Sequence, residues 1–149
     1  MNKMKIIFNN TIFYKQKYGG VSRYISLLAK ELIKDNIDVK IIAPLYKNKY
    51  LKEISKINKK GIYIKRFPDY KVFNFISNLL TIYYINKSES NIIHDTYYSS
   101  SLLKTKNKIK ILTIYDLIHE KFPHLYERNY ISHRKKIIEN SDFFICISE

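Results

Sequence analysis

The chain has 149 residues, room for one domain with a sizeable core but not comfortably for two. A hydrophobic content of 46% excludes a disordered chain, and a single cysteine, Cys146, excludes an internal disulfide or a cysteine-built zinc site. The formal charge of +14 suits an anionic partner such as an acidic membrane surface, while lysines scattered along the chain rather than gathered into one stripe argue against nucleic acid.

Met1-Asn2-Lys3-Met4 leads directly into an apolar run without a signal-peptide cleavage pattern, so a cytosolic protein is expected. Lys5–Asn9 reads as a first strand. A short loop ends in Gly19-Gly20, and Gly20–Lys34 reads as a helix with Val21, Tyr24, Ile25, Leu28 and Leu32 on one face. Val39–Ala43 is a second strand stopped by Pro44, and the lysine-rich stretch Tyr46–Asn58 has helical tendency. Ile62–Lys65 reads as a third strand, ending before Pro68. Val72–Ile85 reads as a sheet-packing helix, with Phe73, Ile76, Leu80, Tyr83 and Tyr84 partly on one face. It is too short and too interrupted by polar residues to span a bilayer, which takes about 20 residues. Ile92–His94 and Ile109–Ile114 are strands four and five. A polar loop runs from Asp116 to Pro123, Tyr130–Asn140 is helical, and Phe143–Ile147 is a last, buried strand that would bury Cys146 as a small hydrophobe.

Strands alternating with helices over short connections imply an α/β fold: a single Rossmann-like domain over residues 1–149, with a mostly parallel sheet and helices on both faces. No internal repeat or linker interrupts it. The chain stops on the last residues of a core strand, which reads as the first half of something longer.

Open α/β sheets bind ligands beyond the carboxyl ends of their strands. That rule selects Gly19, Gly20, Ser22 and Arg23 after strand one, and His94, Asp95, Thr96, Tyr97 and Tyr98 after strand four. It also selects Tyr115, Asp116, His119 and Glu120 after strand five, and Ser148 and Glu149 at the end. Gly19-Gly20 is neither a Walker loop nor a GxGxxG fingerprint. It is an anion site at a helix N-terminus, with Arg23 as an added charge, or a plain tight turn. His94-Asp95 is a polar pair in a cleft or a packed strand end, and Tyr97-Tyr98 is a platform for sugar C–H faces or ordinary packing. Tyr115 through Glu120 could orient a hydroxyl or move a proton, or could simply open a helix. No metal-ligand spacing and no Ser-His-Asp arrangement is legible.

Four blocks in order carry a resemblance: Tyr18-Gly19-Gly20-Val21-Ser22-Arg23-Tyr24, His94-Asp95-Thr96-Tyr97-Tyr98, Thr113 through Pro123, and Ile145-Cys146-Ile147-Ser148-Glu149. Together the series resembles the N-terminal domain of glycosyltransferase family 4, the group 1 enzymes of polysaccharide synthesis. The resemblance implies one half of a GT-B fold, with transfer of a sugar from a nucleotide-diphosphate sugar to a hydroxyl with retention. It implies no metal or other cofactor beyond that donor substrate. It implies that Gly19 and Gly20 face the donor diphosphate and that Asp116, with Tyr115 where many relatives have histidine, is catalytic. Arg23, His94, Asp95, Tyr97, Tyr98 and His119 would line the acceptor side. The implied partners are a glycan or lipid-linked saccharide acceptor, a C-terminal donor-binding half or partner chain that this chain lacks, and an anionic membrane face on which the protein would be peripheral. Alone, such a chain would be catalytically incomplete. The competing class is a non-catalytic Rossmann-like module that binds a sugar or a partner.

Overall fold

In a computed structural model, which describes residues 4–66 and 70–147, six apolar runs pair into one sheet. The strands are β1 (Lys5–Phe8), β2 (Asp38–Tyr46), β3 (Lys59–Tyr63), β4 (Ile92–Asp95), β5 (Ile109–Ile114) and β6 (Phe143–Cys146). Their order is β3-β2-β1-β4-β5-β6, and every pairing is parallel. Each parallel connection needs a crossover over one face of the sheet, and the helices supply it. They are α1 (Thr11–Lys15), α2 (Gly20–Lys34), α3 (Lys49–Lys52), α4 (Tyr70–Lys87), α5 (Ser100–Leu103), α6 (Ile118–Lys121) and α7 (Arg128–Glu139).

Alternation along β1 splits the core in two. Ile6 and Phe8 pack with Ile12, Phe13, Ile25, Ala29 and Leu51 of α1, α2 and α3. Ile7 points to the other face and packs with Ile85, Leu102 and Ile137 of α4, α5 and α7. Helices therefore cover both faces, as the alternating pattern implies.

Several boundaries differ from the sequence reading. Pro44 does not stop β2. The β2–β3 register slips by one residue between Ile42 and Leu45, and that bulge takes Pro44 where the ladder is already interrupted. Opposite it, Gly61 has φ +156°, and a Cβ there would run into the Ala43 carbonyl. β3 begins at Lys59, earlier than its apolar residues suggest, and the half-buried Lys59 donates to the Leu51 and Lys52 carbonyls at 2.8 Å and 2.7 Å. The short helix α1 interrupts what reads as a loop before Gly19. Asn48 caps α3, its Oδ1 accepting the Leu51 N–H at 2.9 Å. Cys146 is exposed, not buried, because it lies on the edge strand β6. Phe143, Phe144 and Ile145 of that strand are exposed beside it. Ser148 and Glu149 lie outside the described residues.

Candidate active site at the strand-order switch

The sheet order reverses direction between β1 and β4, and there the connections leave in opposite directions and open a crevice. Two segments fill it, Asn9 to Lys15 after β1 and Asp95 to Ser100 after β4. A buried polar knot ties them together. Asn9 Nδ2 donates to Asp95 Oδ1, while Thr96 donates both its N–H (3.0 Å) and its hydroxyl (2.7 Å) to Asn9 Oδ1. The Ser99 N–H donates to Asp95 Oδ2 at 2.9 Å, and the Ile12 N–H to Thr96 Oγ1 at 3.2 Å. Asp95 is fully buried, and that burial raises its pKa to about 6 against the opposing pull of its donors and of Lys15. His94, also buried, lies against Phe8 with Nε2 2.8 Å from Thr113 Oγ1, and burial lowers it to about 4.

Above this knot lies a cavity of about 300 Å³. Its walls include Thr11 and Lys15 after β1, Tyr97 and Tyr98 after β4, Asn74 and Asn78 of α4, and Tyr130 and His133 of α7. The Lys15 ammonium stands 4.9 Å over the Tyr97 ring, and burial lowers its pKa against the opposing pull of Asp95. One lining residue, Thr11, has a buried Oγ1 with no hydrogen-bond partner among the described residues. Buried polar groups are almost always paired, so hydroxyl-rich walls with a spare hydroxyl fit a polyhydroxylated ligand.

Tyr98 adopts φ +44°, an uncommon conformation for a bulky residue. α7 holds it there. The Arg134 guanidinium lies 3.8 Å from the Tyr98 ring centre and donates to its hydroxyl at 2.9 Å, and the Tyr98 carbonyl is 3.2 Å from His133 Nε2. Burial pushes the Tyr98 phenol up to about 12. Arg134 also forks onto Glu120, with Nε to Oε1 at 2.8 Å and Nη2 to Oε2 at 3.1 Å, and reaches the Asp116 carbonyl at 3.3 Å. One buried side chain thus fixes the loops after β4 and β5 together.

The sequence profile of Glycosyltransferase Family 4 matches residues 18–149. The chain belongs to glycosyltransferase family 4. Glycosyl transfer is therefore the chemistry its site has to be read against. No curated protein matches the chain.

In this family 4 domain the residues singled out after β4 and β5 separate into two groups. Tyr97, Tyr98, Tyr115, Asp116 and His119 gather at the ends of β4 and β5. The Tyr115 ring stacks on Tyr97 at 6.1 Å, its hydroxyl donates to the Thr96 carbonyl at 3.3 Å, and burial raises its pKa, so the phenol stays protonated. Asp116 is half-exposed, with Oδ1 3.3 Å from His119 Nδ1 and accepting the Ile118 N–H. Tyr24, one turn into α2, meets Tyr115 edge-on at 6.0 Å, so the helix start carrying Gly19 and Gly20 stands beside the β5 end. His94 and Asp95 form the second group, beneath the surface. Their side chains are spent on internal hydrogen bonds.

Arg23 is exposed in the first turn of α2. The glycine pair itself is guarded by Gln16, whose Oε1 accepts the Ser22 N–H at 3.3 Å and fills the place a Gly19 side chain would take. Gly20 has open space where a Cβ would point. Thr11, Lys15, Asn74, Asn78, Tyr130, His133 and Arg134 escaped the sequence reading. Only Thr11 and Lys15 carried a usable signal, because they lie in the segment that leaves the carboxyl end of β1.

Proposed function

We propose that this domain is the acceptor side of a retaining glycosyltransferase that moves a sugar from a nucleotide-diphosphate sugar to a lipid-linked saccharide. The switch-point cavity carries the reading, because a buried Thr11 hydroxyl with no partner among the described residues lies among tyrosine rings, asparagine amides and Lys15. Aromatic faces receive sugar C–H groups, and amides and hydroxyls receive sugar O–H groups. In this reading Tyr97, Tyr98 and Arg23 bound the acceptor, and the buried pair His94–Asp95 acts from below by fixing the loops. Asp116 at the rim orients the attacking hydroxyl by accepting its hydrogen bond; as the bond from that oxygen to the anomeric carbon forms, the bond from the anomeric carbon to the diphosphate breaks and the hydroxyl proton passes to the departing diphosphate oxygen. Gly19 and Gly20 offer first-turn N–H groups to that diphosphate once Gln16 swings aside. A second α/β domain holds the nucleotide.

The test is saccharide binding and nucleoside-diphosphate release, measured on the wild-type chain and on Thr11→Val. Valine keeps the shape and removes an oxygen with no hydrogen-bond partner among the described residues. The melting temperature is therefore expected to hold or rise, while saccharide affinity falls about tenfold through one lost hydrogen bond. Affinity unchanged by Thr11→Val and by Tyr97→Ala would sink the acceptor assignment. Nucleoside-diphosphate release by this chain alone would overturn the division between two domains.

A further inference from the structure

Thr11 and Lys15 stand one turn apart on α1, and residues four apart share a helix face with Cβ atoms about 5–6 Å apart. Both line the switch-point cavity. Thr11 is buried, with no hydrogen-bond partner for its Oγ1 among the described residues, whereas Lys15 is accessible to solvent. The Lys15 ammonium rests over the Tyr97 ring and makes no ion pair among the described residues. Asp95 attracts it from beneath the cavity, but the Asp95 oxygens are taken by Asn9 Nδ2 and the Ser99 N–H.

The other walls leave that charge unanswered. Among the described residues that line the cavity none is Asp or Glu. The wall from α4 is polar and neutral, because this helix turns its polar residues inward. Ser77 and Thr81 are buried, and Asn74 and Asn78 are half-buried, Asn78 Nδ2 donating to Asn74 Oδ1 at 2.9 Å. Ile76, Leu80 and Tyr83 are exposed instead, so the expectation of a plain sheet-packing helix fails for them. On the α7 side, His133 Nε2 lies 3.2 Å from the Tyr98 carbonyl. A carbonyl only accepts, so that nitrogen carries its hydrogen and the ring supplies no negative charge.

We infer that the acceptor bound in this cavity carries an anionic group, a carboxylate or a phosphate, held between the Thr11 hydroxyl and the Lys15 ammonium. The inference rests on the acceptor reading and names the chemistry of what that site takes. Such a group brings at least two oxygens, one to accept from the hydroxyl and one from the ammonium. Hydrogen bonds to ionised groups are roughly twice as strong as neutral ones, so a neutral sugar hydroxyl at this place gains much less. An anion here also offsets the burial that disfavours the charged form of Lys15. The charge sits on the sugar, as in a uronic acid or a sugar phosphate, or on a diphosphate that joins the sugar to a lipid.

The experiment measures the affinity of the full chain for four soluble probes: methyl glucoside, methyl glucuronide, glucose 6-phosphate and geranyl diphosphate. At least one anionic probe is expected to bind about tenfold or more tighter than methyl glucoside. In Lys15→Met that ratio is expected to fall to near one. Lys106→Met, which removes an exposed lysine outside this cavity, is expected to preserve it. Tighter binding of the glucuronide or the sugar phosphate places the charge on the sugar, and tighter binding of geranyl diphosphate alone places it on the lipid carrier. Equal affinity for the glucoside and all three anionic probes would overturn the inference and leave the acceptor reading standing. A ratio that survives Lys15→Met, or that falls equally in both lysine variants, would mean diffuse attraction to the net charge and overturn it as well. Binding of none of the four would bring down the acceptor reading and the inference together.

Discussion

Gly61 is where backbone conformation is most constrained among the glycines. Its φ of +156° and the Ala43 carbonyl against its missing Cβ leave no room for a side chain. Gly61→Ala is expected to lower stability by about 2–4 kcal/mol, seen as a lower urea midpoint at unchanged slope. The sequence draws attention to the other two glycines, and for a sound reason, since a pair before an amphipathic run marks a helix start. Yet Gly19 has φ 164°, extended backbone that any residue adopts, and Gly20 faces open space. What makes Gly19 matter is the Gln16 side chain folded against it, a neighbour that no local pattern reveals. The same holds for His94 and Asp95. Their position at a strand end is legible, but their burial follows from Phe8, Asn9 and Ser99 closing around them.

Among the elements, α7 does most to shape the site, and its sequence says least about it. Arg134 reads as one more surface cation in a basic helix, but its side chain is 1% exposed and holds Glu120, Tyr98 and the Asp116 carbonyl at once. Arg134→Met is expected to destabilise by about 3 kcal/mol, because Glu120 loses its fork and Tyr98 the cation that holds its unusual backbone. The value sits at the low end for a buried pair, since the Glu120 side chain is 32% exposed and water partly replaces the arginine. Amide exchange should quicken in the loops after β4 and β5 before it does in β1, and uniform quickening would count against a local clasp. α4 shows the opposite limit. Its extent was legible from apolar periodicity, but its orientation was not, because both of its faces carry residues able to pack.

For the whole molecule, His94 and Asp95 set opposing dependences of stability on pH. An unfolded histidine titrates near ~6.5, whereas buried His94 titrates at about 4. Between those values the unfolded chain binds the extra proton, so this group makes stability rise with pH. Asp95 titrates at about 6 when folded and near ~3.9 unfolded. The folded state then binds the extra proton, and stability falls as pH rises across nearly the same window. Each contribution is about 3 kcal/mol, so the pair nearly cancels. Urea titrations across the window from about pH 4 to 6.5 are expected to show stability rising with pH in Asp95→Asn and falling in His94→Gln, relative to wild type. Parallel profiles in all three proteins would refute this. The sequence by itself determined the class of fold and the ends of the strands where chemistry could sit, because hydrophobic period and turn residues act within a few neighbours. Only the tertiary structure decided that β1 and β4 flank the switch, that the Thr11 hydroxyl is buried there without a partner among the described residues, and that α4 turns its apolar side to solvent. Each of these depends on contacts between segments dozens of residues apart, and a one-dimensional pattern does not record which segments meet.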